Sequence, residues 1–281
     1  MHHHHSSASD IDIVPIIVIV VVAVTICFAI VQYREAQRQK RITEAITQVE
    51  VLKEAPYSAI ETGGKPVFFS GPCTVDGPVA DAKFGLVTQS HPIMWRKVEV
   101  FQWRETATQV EERRGDQVRR GTKYSYKAEW SSSFVSSDGF KDPKYRENIA
   151  PDVSDETIHG GQVRVGNFYT VRLGDLERAF GRTQLRNLNA PSAAWDRNGV
   201  WAVDSRNGCL VRQRNPGKDT VGDVRIKYEV LQEFDRASSG SVYASVCGVP
   251  GGNAIHPWRA LSCSVQKGAT SLQSIMSAYA V

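Results

Sequence analysis

YSYKAEWSSSFVSSDGFKDPKYREN, Tyr124 to Asn148, changes character partway along. It begins as an alternation, with Tyr124, Tyr126, Ala128 and Trp130 on one side and Ser125, Lys127 and Glu129 on the other. A period of two is the pattern of a half-buried strand, so the reading predicts aromatics turned to the core. After Phe134 the alternation fails, and Ser136-Ser137-Asp138-Gly139 opens a surface loop running past Asp142-Pro143. Ser136, Asp138, Phe140, Lys144, Tyr145 and Arg146 are the candidate partner-binding residues of that loop, which is expected to be free to meet another protein.

Outward from this stretch the strand pattern repeats. Trp95 to Thr108 is rich in Val, Phe and Trp, and a polar stretch ending in Gly115-Asp116 joins it to Gln117–Trp130. The simplest reading is a long antiparallel hairpin. Further strands are expected at 66–70, ended by Gly71-Pro72, and at 162–171, 199–203, 209–213, 223–231, 241–249 and 260–265. A short helix fits Leu173 to Phe180, with Gly181 at its stop, and Asn215-Pro216-Gly217 and Pro250-Gly251-Gly252 read as turns. Trp95, Phe101, Trp103, Trp201 and Trp258 serve cores or interfaces, and the core is the plainer reading. Arg96, Lys123, Lys127, Glu129, Arg225 and Lys227 read as solvated charges that discourage edge pairing.

The N-terminal part is different. Ile13 to Val31, IVPIIVIVVVAVTICFAIV, is uncharged and dominated by Val and Ile. At 1.5 Å per residue it covers roughly 28 Å, about one hydrocarbon core. No basic n-region or small-x-small cleavage motif accompanies it, so it reads as an uncleaved single-pass anchor. Ile42, Ala45, Ile46, Val49 and Leu52 then recur at helical spacing, which predicts a helix to about Lys53, stopped by Pro56. The expected class is α+β: a disordered 1–12, a transmembrane helix at 13–31, a helical stalk at 32–55, a β-rich and mostly antiparallel domain at 65–265, and a tail at 266–281. Arg34, Arg38, Lys40 and Arg41 follow the span, and by the positive-inside rule they favour a cytoplasmic domain.

Composition narrows the function. Net charge is +4 from 34 basic and 30 acidic residues, with no nucleic-acid-binding signature. His2 to His5 are not counted as a metal site, and no CxxC occurs. Cys73, Cys209, Cys247 and Cys263 offer two disulfides in three pairings in an oxidising lumen, or free buried thiols. There is no GxSxG, Walker A or HExxH; Asp223, next to Gly222, reads as a turn residue, and His91, His159 and His256 are isolated. Neither a catalytic site nor a cofactor is expected.

Four segments, MWRKVEVFQWRET (94–106), TKYSYKAEW (122–130), VRVGNFYTV (163–171) and VGDVRIKYEV (221–230), together with the charged helix REAQRQKRITEAITQVEVL (34–52), resemble the transmembrane protein 43 (LUMA) family in order and approximate spacing. The resemblance runs from about Val14 to about Gln273. It implies a membrane protein of the endoplasmic reticulum and inner nuclear membrane, with a first span, a large lumenal domain, and further spans near the C-terminus. This chain stops at Val281, about where those spans should begin. On orientation, the resemblance is preferred over the basic cluster. It also implies nuclear-envelope organisation with lamins and emerin-like partners, and no catalytic residues. The expectation is a non-enzymatic, membrane-anchored scaffold acting by protein–protein interaction. Its partners would be the lipid bilayer, endoplasmic reticulum or nuclear-envelope membrane proteins and, as an open possibility, further copies of itself. The alternative is a membrane-anchored ligand-binding or enzymatic domain with an unrecognised site.

Overall fold

Helix α1 (Ile13–Ile46) carries the apolar segment and continues without a break into the charged stalk. The structure is a computed structural model. It describes residues 13–53, 63–89, 91–115, 117–166, 168–170, 173–188, 194–196, 199–232, 234, 242–252, 254–258, 261 and 265–279. The segment expected to be disordered, 1–12, lies outside these. Among the described residues none covers the apolar half of α1: Ile19 is 67% exposed and Phe28 64%. Its length and composition suit a bilayer crossing, and it is the one such helix among the described residues.

The helix stops at Ile46, earlier than the periodicity predicts. Thr47 and Gln48 form a turn, and β1 (Glu50–Val51) pairs in parallel with β2 (Val67–Asp76). Val49 and Leu52 keep their inward positions, which is why the apolar spacing outlasts the helix. Strand β2 also runs straight through Gly71-Pro72, because β15 (Val242–Gly251) pairs with it from Val67 to Cys73.

The remaining strands are β3 (Val79–Asp81), β4 (Leu86–Thr88), β5 (Ile93–Arg114), β6 (Gln117–Ser131), β7 (Glu156–His159), β8 (Gln162–Val165), β9 (Phe168–Thr170), β10 (Arg182–Gln184), β11 (Ala194–Asp196), β12 (Gly199–Asp204), β13 (Cys209–Arg212), β14 (Val224–Leu231), β16 (Ala254–Pro257) and β17 (Val265–Lys267). Two short helices complete the set, α2 (Leu173–Phe180) and α3 (Leu272–Tyr279). The α+β reading with a mostly antiparallel, strand-rich domain holds: only β1–β2 and β9–β16 pair in parallel among the described strands. The predicted hairpin is β5–β6, in register from Val100↔Ser131 to Arg114↔Gln117, with Gly115 at φ 61 in its tight turn.

The strands form two layers. In one, β2, β8, β9, β16 and β15 pair in sequence and close on themselves through β15–β2. Val67, Phe69, Val163, Val165, Phe168 and Val246 belong to the core of this ring, and Leu176 and Phe180 of α2 join them. In the other layer, β5 and β14 are central: β14 is flanked by β13 and β10, and β5 by β6 and β7. Met94, Val98, Leu210, Ile226 and Tyr228 of this sheet pack against Val79, Phe84 and Leu86 of the β3–β4 hairpin.

Arg96 shares the inward face of Met94 and Val98, so the solvated role expected for it is wrong. It is 4% exposed, with Nη1 2.7 Å from Oδ2 of Asp81, itself 3% exposed. Tyr228 donates its hydroxyl to the same Asp81 oxygen at 2.8 Å, and Glu156 closes the network as a second carboxylate on Arg96. Burial, then the Asp81 charge, pushes the Tyr228 phenol far above its ordinary range. Of the tail expected at 266–281, the described part, 266–279, is structured: Leu272, Ile275, Met276 and Tyr279 recur at helical spacing and pack α3 on Ile42, Ala45 and Ile46 of α1.

Candidate interaction face of the large sheet

The aromatic side of β6 is not the core side. Register places Trp130 opposite Phe101, Ala128 opposite Trp103 and Tyr126 opposite Glu105. These residues point away from the core reached by Val98 and Val100, so the expectation of aromatics turned inward is corrected. A period of two reports that a strand has two unlike faces. It does not report what covers the aromatic one.

That cover is the loop itself. Ring Tyr145 stacks on Tyr126 with centroids 4.1 Å apart and meets Trp103 edge-on at 4.7 Å. Phe140 is 6% exposed and lies 6.1 Å from Tyr126, while Arg146 Nε donates to the Phe140 carbonyl at 2.7 Å. The Asp142 side chain accepts from Lys144 N at 3.0 Å and starts a single 3-10 turn, with Pro143 in its first position. Ser136 Oγ donates to Asp138 at 2.9 Å, and both residues, with Lys144, face solvent. The loop expected to be free is thus a fixed roof: Phe140, Tyr145 and Arg146 hold it down, while Ser136, Asp138 and Lys144 form its outer surface.

Asn148, which the sequence pattern gives no role, anchors the far end. Its Oδ1 accepts from Trp103 N at 2.7 Å, and its Nδ2 donates to Trp103 O at 2.9 Å and Val135 O at 3.0 Å. Beside Phe101 the strand edge is still paired, through Asp223 O and Gly222 N. One step further Asn148 supplies both partners.

Next to the roof lies an open cleft of about 480 Å³ on the outer side of the same sheet. Cys209, Val211, Arg225 and Trp130 line it, and the end of β12 at Asp204 and the loop carrying Asp219 flank it. The Arg225 guanidinium sits 4.4 Å above the Trp130 ring and is paired with Glu99, which Lys227 also meets at 3.0 Å. Burial opposes ionisation of Glu99, but hydrogen bonds from Arg225 and Lys227 outweigh it and hold the carboxyl below its ordinary value. Trp130 Nε1 donates to Asp219 at 2.9 Å. Asp223 is fully buried and accepts Arg214 N and Thr220 N, each at 2.8 Å, so it staples the loop wall as a turn residue. Asp204 accepts from Asn207 Nδ2 at 2.7 Å, which lowers its pKa.

Among the described residues the candidate disulfide cysteines are not bridged. Cys73, Cys209 and Cys247 are free thiols, and Cys263 lies outside the described residues. Cys73 is opposite Val242 on β15, five residues from Cys247. At about 3.4 Å per residue that separation far exceeds disulfide reach. Burial pushes the Cys73 and Cys247 thiols up to about 12. Among the described residues, no three of His, Cys, Asp and Glu are grouped so as to hold a metal ion.

Fold and surface together define a class: a membrane-anchored β domain whose outer face presents an aromatic roof and a shallow polar cleft. Comparison with known proteins places it more closely. Residues 100–279 match the family model for Transmembrane protein 43, and the chain belongs to that family. It is 30% identical over 172 residues to Transmembrane protein 43 of Rattus norvegicus, 29% to that of Mus musculus and 27% to that of Homo sapiens. Each match covers 60% of this chain and 41% of the relative, so the aligned part spans about two fifths of those proteins. No solved structure matches.

Proposed function

We propose that this membrane protein is a non-enzymatic scaffold of the endoplasmic reticulum and nuclear envelope, organising membrane proteins through its extramembrane domain. The observation that carries the reading is the seam between anchor and domain. Ile42 is 1% exposed, and Ile275 and Met276 are fully buried beside it, so the spanning helix and the β layers meet through a packed joint. A rigid joint holds a binding surface at a set height above the bilayer, which suits a scaffold. The roof and the cleft supply that surface.

Imaging of an internally tagged chain tests the location. Signal confined to plasma membrane or cytosol would overturn it. Protease protection on intact microsomes, with a tag near Val281, tests the proposed lumenal orientation, for which protection is the expected result. The cleft supports a second reading, a small-ligand site, since about 480 Å³ lies within the usual range for such pockets. Its openness on a sheet face favours a protein partner, and a fragment screen with no ligand reporting from Trp130 would leave the scaffold reading standing.

A further inference from the structure

We infer that the membrane-proximal end of the stalk is a binding site for anionic phospholipid headgroups, built from Arg34, Arg38 and Arg41. At 100° per residue these positions fall within about 60° of one another on the helix surface. One concave strip runs from Val31 and Tyr33 past Arg34, Glu35, Gln37 and Arg38 to Arg41, with Glu35 its single acidic residue against three arginines. Taking Val31 as the last apolar residue, Arg34 stands about 5 Å beyond the hydrocarbon, Arg38 about 10 Å and Arg41 about 15 Å. The headgroup layer occupies roughly the first 5–8 Å. Side chains on a helix lean toward its N-terminus, which here is the membrane side, so the longer reach needed by Arg41 is in the favourable direction.

The charges are also available. Among the described residues Arg34 and Arg41 make neither a hydrogen bond nor an ion pair, and both are exposed. Lys40 differs, lying 4.0 Å from Glu44. Arg38 is partly committed: it donates to Ser277 O at 2.5 Å, near the end of α3, and lies 3.7 Å from Glu35. It therefore fixes α3 beside the strip while its two neighbours remain open to a phosphate. Arginine suits that ligand, because its planar fork meets two phosphate oxygens at once.

The test uses the full chain reconstituted in phosphatidylcholine vesicles with trace spin-labelled lipid. Electron spin resonance then measures the fraction of label immobilised by the protein. Spin-labelled phosphatidylglycerol should be immobilised several-fold more strongly than spin-labelled phosphatidylcholine, with an upper bound on the order of five-fold per arginine at low salt. The R34Q/R41Q variant spares the Arg38 contact and should bring the two lipids to parity with an unchanged circular dichroism melt. Equal immobilisation by the unmodified chain would overturn the inference, as would a preference that survives R34Q/R41Q. Inorganic phosphate at millimolar concentration and constant ionic strength should not displace the lipid. If it did, the strip would be a free-anion site and the lipid assignment would fall.

Discussion

The carboxamide of Asn148 stands where a strand would stand beside Trp103, accepting from its backbone N–H at 2.7 Å and donating to its carbonyl at 2.9 Å. A third bond, to Val135 O at 3.0 Å, ties the start of the roof to its end. One side chain thus satisfies an exposed strand edge and closes the loop. Replacing Asn148 with Ala leaves those backbone groups without their protein partners, at a cost of about 1–3 kcal/mol. The expected result is a lower unfolding midpoint together with faster amide exchange across 132–148. Unchanged exchange there would show that the aromatic stack alone holds the roof.

Arg96 and Asp81 predict a larger and non-additive effect. Both are almost fully buried, 2.7 Å apart, and Tyr228 shares the same carboxylate oxygen. R96M strands the buried Asp81 charge and should cost about 3–5 kcal/mol, whereas D81L leaves Arg96 its Glu156 partner and should cost less. The double variant D81L/R96M should be less destabilised than the sum of the single ones. A double-mutant cycle from denaturant unfolding measures this, and simple additivity would contradict the coupling.

Glu99 sets a pH response. Burial opposes its ionisation, but Arg225 and Lys227 overcome that and hold its carboxyl below the ordinary 4.5. A carboxylate with a depressed folded-state pKa stabilises the protein above its unfolded value, and this contribution is lost as pH falls through the folded value. The gap in unfolding midpoint between the unmodified protein and E99Q should therefore be widest near neutrality and shrink below about pH 4.5. A gap that widens on acidification would mean that Glu99 is not held ionised by its two cations.

The stalk joint predicts a loss of coupling. Ile42 is 1% exposed and Ile275 fully buried where α1 meets α3. Cutting either to Ala should cost about 2–5 kcal/mol. Spin labels on α1 and on the exposed surface of the β layers should show a broadened distance distribution in I42A, and an unchanged distribution would refute a rigid joint.

Thiol chemistry offers a last check. With the Cys73 and Cys247 thiols pushed up to about 12 by burial, thiolate is scarce at neutral pH. In the folded protein, mass mapping after maleimide treatment should find both slow to react, and in denaturant both should label readily. Failure to label Cys73 or Cys247 in non-reducing denaturant would reveal a disulfide.

The amino-acid sequence by itself determined the elements whose cause is local. An uncharged run dominated by Val and Ile from Ile13 set the spanning helix, and period-two alternation set the β5–β6 hairpin. The Leu173–Phe180 helix ends at Gly181, which takes φ 70 there. Family membership was legible for the same reason, through ordered segments along these strands.

Tertiary structure decided what each face meets. Tyr124 to Trp130 alternate whether the aromatics line a core or lie under a loop, and only the packing of Tyr145 and Phe140 chose the loop. Arg96 looks like a surface charge until the β3–β4 hairpin brings Asp81 against it from 15 residues away in the chain. Asn148 and the cleft were invisible for a related reason: their partners come from other strands, and local spacing carries no information about which strands will lie side by side. The sequence of Tyr124 to Asn148 thus specified a strand and a loop, while long-range pairing made them a single roofed face.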